Sequence, residues 1–128
     1  RIGWLWNKPV AVAFIRPERF THGIIEREDR LTLSFLGNSE QMRKAYAICG
    51  SKSGRDCDKV KETGLHPVET ESGAMTFEEA RLTLVCRKLY KDTMKESSFI
   101  DKSLVQWYGE KGGYHDVYVL EIEQCLVK

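Results

Sequence analysis

The order of apolar and polar positions divides the chain into strands with short helices between them. Residues 10–15, Val-Ala-Val-Ala-Phe-Ile, form an unbroken apolar run of strand length, which predicts a buried strand. Arg16-Pro17 ends it, because proline lacks the ladder's N–H and restrains the residue before it. Residues 31–35 alternate apolar and polar and predict a half-buried strand. Residues 80–90 are the longest strand candidate, with Leu82, Leu84 and Cys86 on one face and Arg81, Thr83 and Arg87 on the other. Residues 114–127 form the last, with Tyr118, Leu120 and Ile122 alternating against Val117, Val119 and Glu121. A short extended piece is expected at 65–68.

Between these runs the period changes. Thr21 can cap a short helix over 23–28, with Ile24 and Ile25 pointing inward. Gly37-Asn38-Ser39 breaks the second strand and offers a cap for a helix over 40–49, where Met42, Ala45, Tyr46 and Cys49 recur at helical spacing. A third short helix is expected over 56–63, capped by Asp56 or Asp58 and closed by Gly64. Residues 92–106 are polar with scattered Met94, Phe99, Ile100, Leu104 and Val105, which predicts helical turns in a long excursion. Polar, glycine-bearing turns fall at 50–55, 69–73 and 109–113. There is no internal repeat and no low-complexity tract. Mostly strands with interspersed short helices predict an antiparallel barrel with helical excursions; a sandwich or an α+β sheet has the same periodicity.

Bulk composition narrows the classes. The chain has 128 residues, enough for one domain. Twenty basic and nineteen acidic residues leave a net charge of +1, which argues against a broad nucleic-acid-binding face but leaves room for a local phosphate pocket. No apolar run approaches the ~20 residues that span a bilayer, and no secretory leader pattern is present. Cys49, Cys57, Cys86 and Cys125 form no C-x-x-C pair, and the three histidines do not cluster with them, so no zinc site is expected. Free thiols in a cytoplasmic protein are the simpler reading. The chain opens at Arg1 and runs almost at once into Trp4 and Trp6, as a chain whose beginning is absent would.

Three stretches could carry chemistry. Arg16-Pro-Glu-Arg-Phe-Thr21 places two arginines and a hydroxyl where a strand leads into a helix, a fit for phosphate. The loop Ser51 to Lys59 is short, glycine-bearing and rich in Ser, Lys and Arg, which suits an anion but lacks P-loop spacing. Taken singly, each reads more simply as an exposed, capped loop. The third group is aromatic: Trp4, Trp6, Phe20, Trp107, Tyr108, Tyr114 and His115. A planar ring could stack on any of them, though core or interface packing explains most, and His115 reads as a surface or interface histidine. G-x-S-x-G, H-E-x-x-H and G-x-G-x-x-G are all missing. The acidic pairs Glu78/Glu79 and Glu121/Glu123 read as a solvated strand face rather than a hydrolase pair.

The segments gain weight together. Trp6-Asn-Lys-Pro9, then Ile15-Arg-Pro-Glu-Arg-Phe-Thr21, then Ser53-Gly-Arg-Asp-Cys-Asp-Lys59 with Gly64-Leu65 and Pro67-Val68, follow one another in a fixed order. With Trp107-Tyr108 and Gly113-Tyr-His115 in the tail, the chain resembles the flavin reductase-like family, the FMN-binding split barrels that include flavoredoxin. That resemblance implies a six-stranded antiparallel split β-barrel, usually a homodimer, over a single domain spanning 1–128 whose N-terminal strand is missing. It implies FMN held by Arg16, Arg19 and Thr21 from the first segment and by Ser53, Gly54, Arg55 and Lys59 from the second, with Phe20 and Trp107 shaping the ring pocket. It implies an oxidoreductase that passes electrons from NADH or NADPH through FMN to a small-molecule or protein acceptor. The alternatives it leaves are an electron carrier without a nicotinamide site and a dimeric barrel that has lost flavin.

Overall fold

A computed structural model describes residues 1–54, 57–110 and 113–128. The chain enters on a hairpin, β1 (Ile2–Leu5) and β2 (Lys8–Ile15), in the register Ile2↔Ala11 to Leu5↔Lys8. The connecting residues Trp6 and Asn7 both have positive φ, +53° and +59°. A two-residue turn of this hand follows the natural twist of the strands. Asn tolerates it; Trp is an unusual occupant, and its ring leans on Tyr90 at 6.3 Å.

The helix α1 (Phe20–Arg27) then crosses to β3 (Arg30–Phe35), followed by α2 (Glu40–Ser51) and α3 (Lys59–Thr63). Ser39 accepts from the Met42 N–H at the start of α2, as the sequence suggests. α3 is shorter than 56–63: Asp58 caps it by accepting from the Lys61 N–H, and Gly64 closes it in the left-handed region. A small hairpin, β4 (Pro67–Glu69) and β5 (Met75–Phe77), precedes the two longest strands, β6 (Leu82–Thr93) and β7 (Asp116–Val127). Between those two the excursion forms 3-10 turns at Glu96–Ser98 and Lys102–Tyr108.

Five strands make one antiparallel sheet in the order β1-β2-β7-β6-β3, and β4 pairs with β5 beside it. The described residues thus form seven strands, five in one sheet and two in the other. Two register shifts between β6 and β7, at Val85/Cys86 and Lys88/Tyr90, bend the central pair and tighten its twist.

The main core lies where α1 covers the sheet. Ile25 meets Leu84, Cys86, Tyr118 and Leu120, all buried. The Cys86 thiol is pushed up to about 11 by that burial, so it packs as a small apolar group. A second cluster joins Leu36, Met42, Ala45, Leu65 and Ala80 under α2.

β6 alternates as expected, but its second face is not open to solvent: Thr83 and Val85 are buried. β5 covers Thr83 through a chain of hydroxyls, Ser34 to Thr76 to Thr83, each step 2.8 Å. The polar groups are satisfied there by one another, which alternation cannot reveal. Farther along the same sheet, Lys8, Glu121, Arg87, Glu123 and Arg30 form a ladder of ion pairs across four strands. The second acidic pair is therefore spent on cross-strand partners.

Candidate functional site

The site begins where β2 runs out. After Pro17 the chain turns, the Arg19 N–H donates to the Arg16 carbonyl at 3.1 Å, and the helix starts at Phe20. Arg19 is the N-cap and its side chain makes no capping bond; Thr21, expected as the cap, lies inside the first turn. The turn at Pro17 starts the helix earlier than the hydrophobic period indicates. No acidic side chain occupies that turn. The positive end of the helix dipole therefore has no acidic side chain in its own first turn to offset it.

The loop after α2 comes up against this helix start. Gly54 faces the Phe20 ring so closely that a Cβ there would lie 2.6 Å from Phe20 Cδ1. Only glycine permits that approach. Lys59, the first residue of α3, folds back and donates from Nζ to the Cys49 carbonyl at 3.0 Å. Lys52 pairs with Glu62 at 2.8 Å.

Two adjoining cavities result, sharing Phe20, Thr21, Gly54 and Lys59. One, of about 690 Å³, extends toward Ile24, Cys57 and Val60. The other, of about 490 Å³, extends toward Arg16, Arg19, Ser53 and His115. Among the described residues, Arg16, Arg19, Lys52 and Lys59 line the second, with Arg16 paired to Glu18 and Lys52 to Glu62. A chain of net charge +1 has concentrated positive charge in one place. His115 registers it: burial first, then the charges of Arg16 and Arg19, push its pKa down against an opposing pull from Glu18.

Seven of the nine residues singled out from sequence, Arg16, Arg19, Phe20, Thr21, Ser53, Gly54 and Lys59, line this one groove. Arg55 lies outside the described residues. Trp107 is not in the groove. It is 74% exposed and borders a neighbouring cavity on the excursion, because its 3-10 turn stands out from the sheet.

From sequence, His115 reads as a surface or interface histidine. Its Nδ1 lies 2.6 Å from the Tyr108 hydroxyl, and it borders both the groove and that neighbouring cavity. Tyr108 was recognisable only as one aromatic among seven; the excursion that folds it back onto β7 left no local signal. Arg16 lies over the Tyr108 ring, 5.3 Å from its centroid, while its Nε is held by Glu18 at 2.7 Å and by the Gly113 carbonyl at 3.2 Å.

Beneath the groove, α1 is clamped to the sheet. Buried Asp116 receives His22 at 2.5 Å and the Thr93 hydroxyl at 2.5 Å. Glu26 receives the Tyr118 hydroxyl at 2.5 Å and Lys91 at 2.7 Å. Burial pulls the Asp116 carboxyl up, but the bonds from Thr93 and His22 and the Lys91 charge outweigh it and hold it below its ordinary range. His22, Glu26 and Asp116 lie close enough for a metal ion. Lys91 already stands as the cation among them, 3.6 Å from Asp116. This cluster is a partly exposed polar network around buried Asp116. Nothing local in the sequence joins His22 to Asp116, 94 positions later.

Comparison with known proteins accounts for this layout. No curated protein matches the chain. Among solved structures it is similar to an FMN-binding protein from Thermus thermophilus, with 22% identity and a TM-score of 0.72 over 98% of this chain and 59% of that one. It is also similar to flavoredoxin of Desulfovibrio vulgaris (18%, 0.69, 99% and 58%). A Shewanella frigidimarina protein with a split barrel domain is similar too (18%, 0.70, 99% and 56%). At these identities the likeness is one of fold, a split barrel, and the chain spans under two thirds of each of these structures. The model of the flavin reductase like domain matches residues 6–128, and the chain belongs to that family.

Proposed function

We propose that this chain serves in an FMN-dependent oxidoreductase that takes electrons from NADH or NADPH and delivers them to a small-molecule or protein acceptor. The observation that supports it most is the convergence of Arg16, Arg19, Thr21, Ser53 and Lys59 on one groove from segments more than thirty residues apart.

The residues present fit the phosphate end of FMN. A phosphate needs cations, donors and close backbone approach. The groove supplies the cations Arg16, Arg19, Lys52 and Lys59, the hydroxyls of Thr21 and Ser53, and a glycine loop. Arg19 and Lys59 would hold the phosphate, with the first-turn amides of α1 beneath it. Lys59 would exchange its bond to the Cys49 carbonyl for the ligand. Bound FMN would supply the redox chemistry itself. What the chain contributes is binding, orientation and a positive field. No acid–base pair is required, which suits a groove whose one histidine is kept neutral by its surroundings.

The working form would be a homodimer in the cytoplasm. The apolar side chains left on the surface, Trp4, Phe14 and Trp107 among them, suit a partner subunit. The unpaired cysteines suit a reducing compartment.

The test is a visible absorption titration with FMN, followed by anaerobic addition of NADH or NADPH. The proposal expects a protein-bound flavin band that bleaches with nicotinamide. A bound band that stays oxidised would make the protein an electron carrier served by a partner. Absence of any bound band would remove flavin from the reading.

A further inference from the structure

His22 and Glu26 stand four positions apart on α1, which puts both on one face of the helix. β7 brings Asp116 up to that face. His22 Nε2, a carboxylate oxygen of Glu26 and one of Asp116 lie within 4.8 Å of one another. One imidazole nitrogen with two carboxylate oxygens is a donor set for zinc. Magnesium and calcium prefer oxygen alone. No cysteine takes part, so the spacing of the cysteines carries no sign of the cluster.

Lys91 marks where a cation sits among these groups. Its Nζ lies 2.7 Å from Glu26 Oε1 and 3.6 Å from Asp116 Oδ2. Two carboxylates thus share one permanent charge, and a dication in its place would neutralise both. The Lys91 side chain is 42% exposed, so its ammonium can withdraw into water. The surrounding bonds already aim the ligands. Thr93 donates to Asp116 Oδ1 and leaves Oδ2 turned to His22, and Tyr118 donates to Glu26 Oε1. Outer partners of this kind fix ligand orientation in metal sites. Around tetrahedral zinc the ligand atoms stand about 3.3 Å apart. His22 Nε2 and Glu26 Oε1 are 3.6 Å apart. His22 and Asp116, hydrogen-bonded at 2.5 Å, need to part by only about 1 Å.

We propose that His22, Glu26 and Asp116 bind one zinc ion, which displaces the Lys91 ammonium and fastens α1 to β7 beneath the groove. Lys91 and the metal are alternative occupants of one position. The site needs neither flavin nor the groove, and stands apart from the proposed redox function.

The test is calorimetric titration of the chelator-treated chain with zinc chloride, and with magnesium chloride as control, alongside its melting temperature. One zinc per chain is expected, with a rise in melting temperature and no binding of magnesium. Lys91→Met separates the occupants. Without metal it should melt below the native chain, since its two carboxylates lose their cation. It should bind zinc about tenfold more tightly than the native chain and regain its melting temperature when zinc is added. His22→Gln keeps a donor for Asp116 but removes the nitrogen ligand, and should bind zinc about tenfold more weakly or worse. His66→Gln, a change at an exposed histidine outside the cluster, should bind it as the native chain does. Zinc affinity unmoved by His22→Gln, or lost in His66→Gln, would put the ion elsewhere and overturn the site. So would equal binding of magnesium, or Lys91→Met that binds zinc no more tightly and is not restored by it. Absence of zinc binding in both the native chain and Lys91→Met would leave the cluster as a polar network alone.

Discussion

The two cavities that meet at Arg16 are built in opposite ways. The groove takes its residues from two short segments, and both lie on or beside helices tied to the sheet. Its floor, α1, is fixed by Asp116, His22, Glu26 and Lys91 through short polar bonds beneath a buried core residue, Ile25. The aromatic cavity takes its walls from an excursion whose rings pack on Tyr114, just ahead of β7, with Phe99 and Tyr108 at 6.0 and 4.6 Å from it. The first is preorganised at a cost in buried charge; the second is held by weak, adaptable contacts. Anchoring a phosphate needs fixed donors, whereas seating a ring tolerates repacking.

The largest effect should come from breaking the clamp. Asp116→Ala leaves His22 and Lys91 without their buried carboxylate and removes the Thr93 acceptor. Removing one partner of such a network costs about 3 kcal/mol, or roughly 10 °C in melting temperature. FMN affinity should fall with it, because Phe20 and Thr21 ride on the helix being released. A loss under about 1 kcal/mol by chemical denaturation would mean that the apolar contacts of Ile25 hold α1 unaided.

Next in size is the removal of a groove cation. Lys59→Ala or Arg19→Ala should weaken FMN ten- to a hundredfold, the worth of one charge-assisted hydrogen bond at about 1.5–3 kcal/mol. The melting temperature without ligand should stay nearly unchanged. Trp107→Ala, on the other side of Arg16, should leave FMN affinity where it was. Titration of the three variants by flavin absorbance separates the cavities directly, and an equal loss in all three would merge them into one.

The sequence carried the groove because its chemistry is contiguous. Arg16 to Thr21 and Ser53 to Lys59 each hold their residues within one turn and one loop, so a local pattern was enough to mark them. The strands were legible for the same reason: period-two alternation in 31–35 and 114–127 is a local property. What was not legible depends on contacts across long separations. Thr83 looks solvent-facing until β5 covers it. His22 and Asp116 are unremarkable until β7 returns beside α1. Trp107 shares the tail motif with Tyr108 and His115, yet points elsewhere, because a 3-10 turn offers no strong period to read.

On the aromatic side the expected effects are smaller. Tyr108→Phe keeps the ring over which Arg16 lies and removes the bond to His115, 2.6 Å long. A loss of about 1 kcal/mol is expected, near a third of that for Asp116→Ala. A loss as large as the clamp's would show the excursion to be as rigid as the groove and the contrast between them to be false.

The smallest effect is one of pH. His115 is held below its ordinary value of 6.5 by burial and by Arg16 and Arg19, so its contribution to stability is full above 6.5 and is lost as pH falls through the lowered folded value. His66 works in the opposite direction. Its bond to Glu79 on the surface raises its pKa, so that contribution is present below 6.5 and is lost as pH rises through the raised value. In the native chain the two slopes oppose one another. A His66→Gln background should therefore expose the groove's histidine, with stability level above about pH 6.5 and falling as pH drops below it. Adding His115→Phe should flatten that limb, since Asp116 and Glu26, both held below their ordinary range, titrate at lower pH. Saturating inorganic phosphate gives the final sharpening. An anion among Arg16, Arg19 and Lys59 offsets the field that depresses His115, so its titration by NMR should move upward when phosphate binds in the groove. An unmoved His115 would place the anion elsewhere.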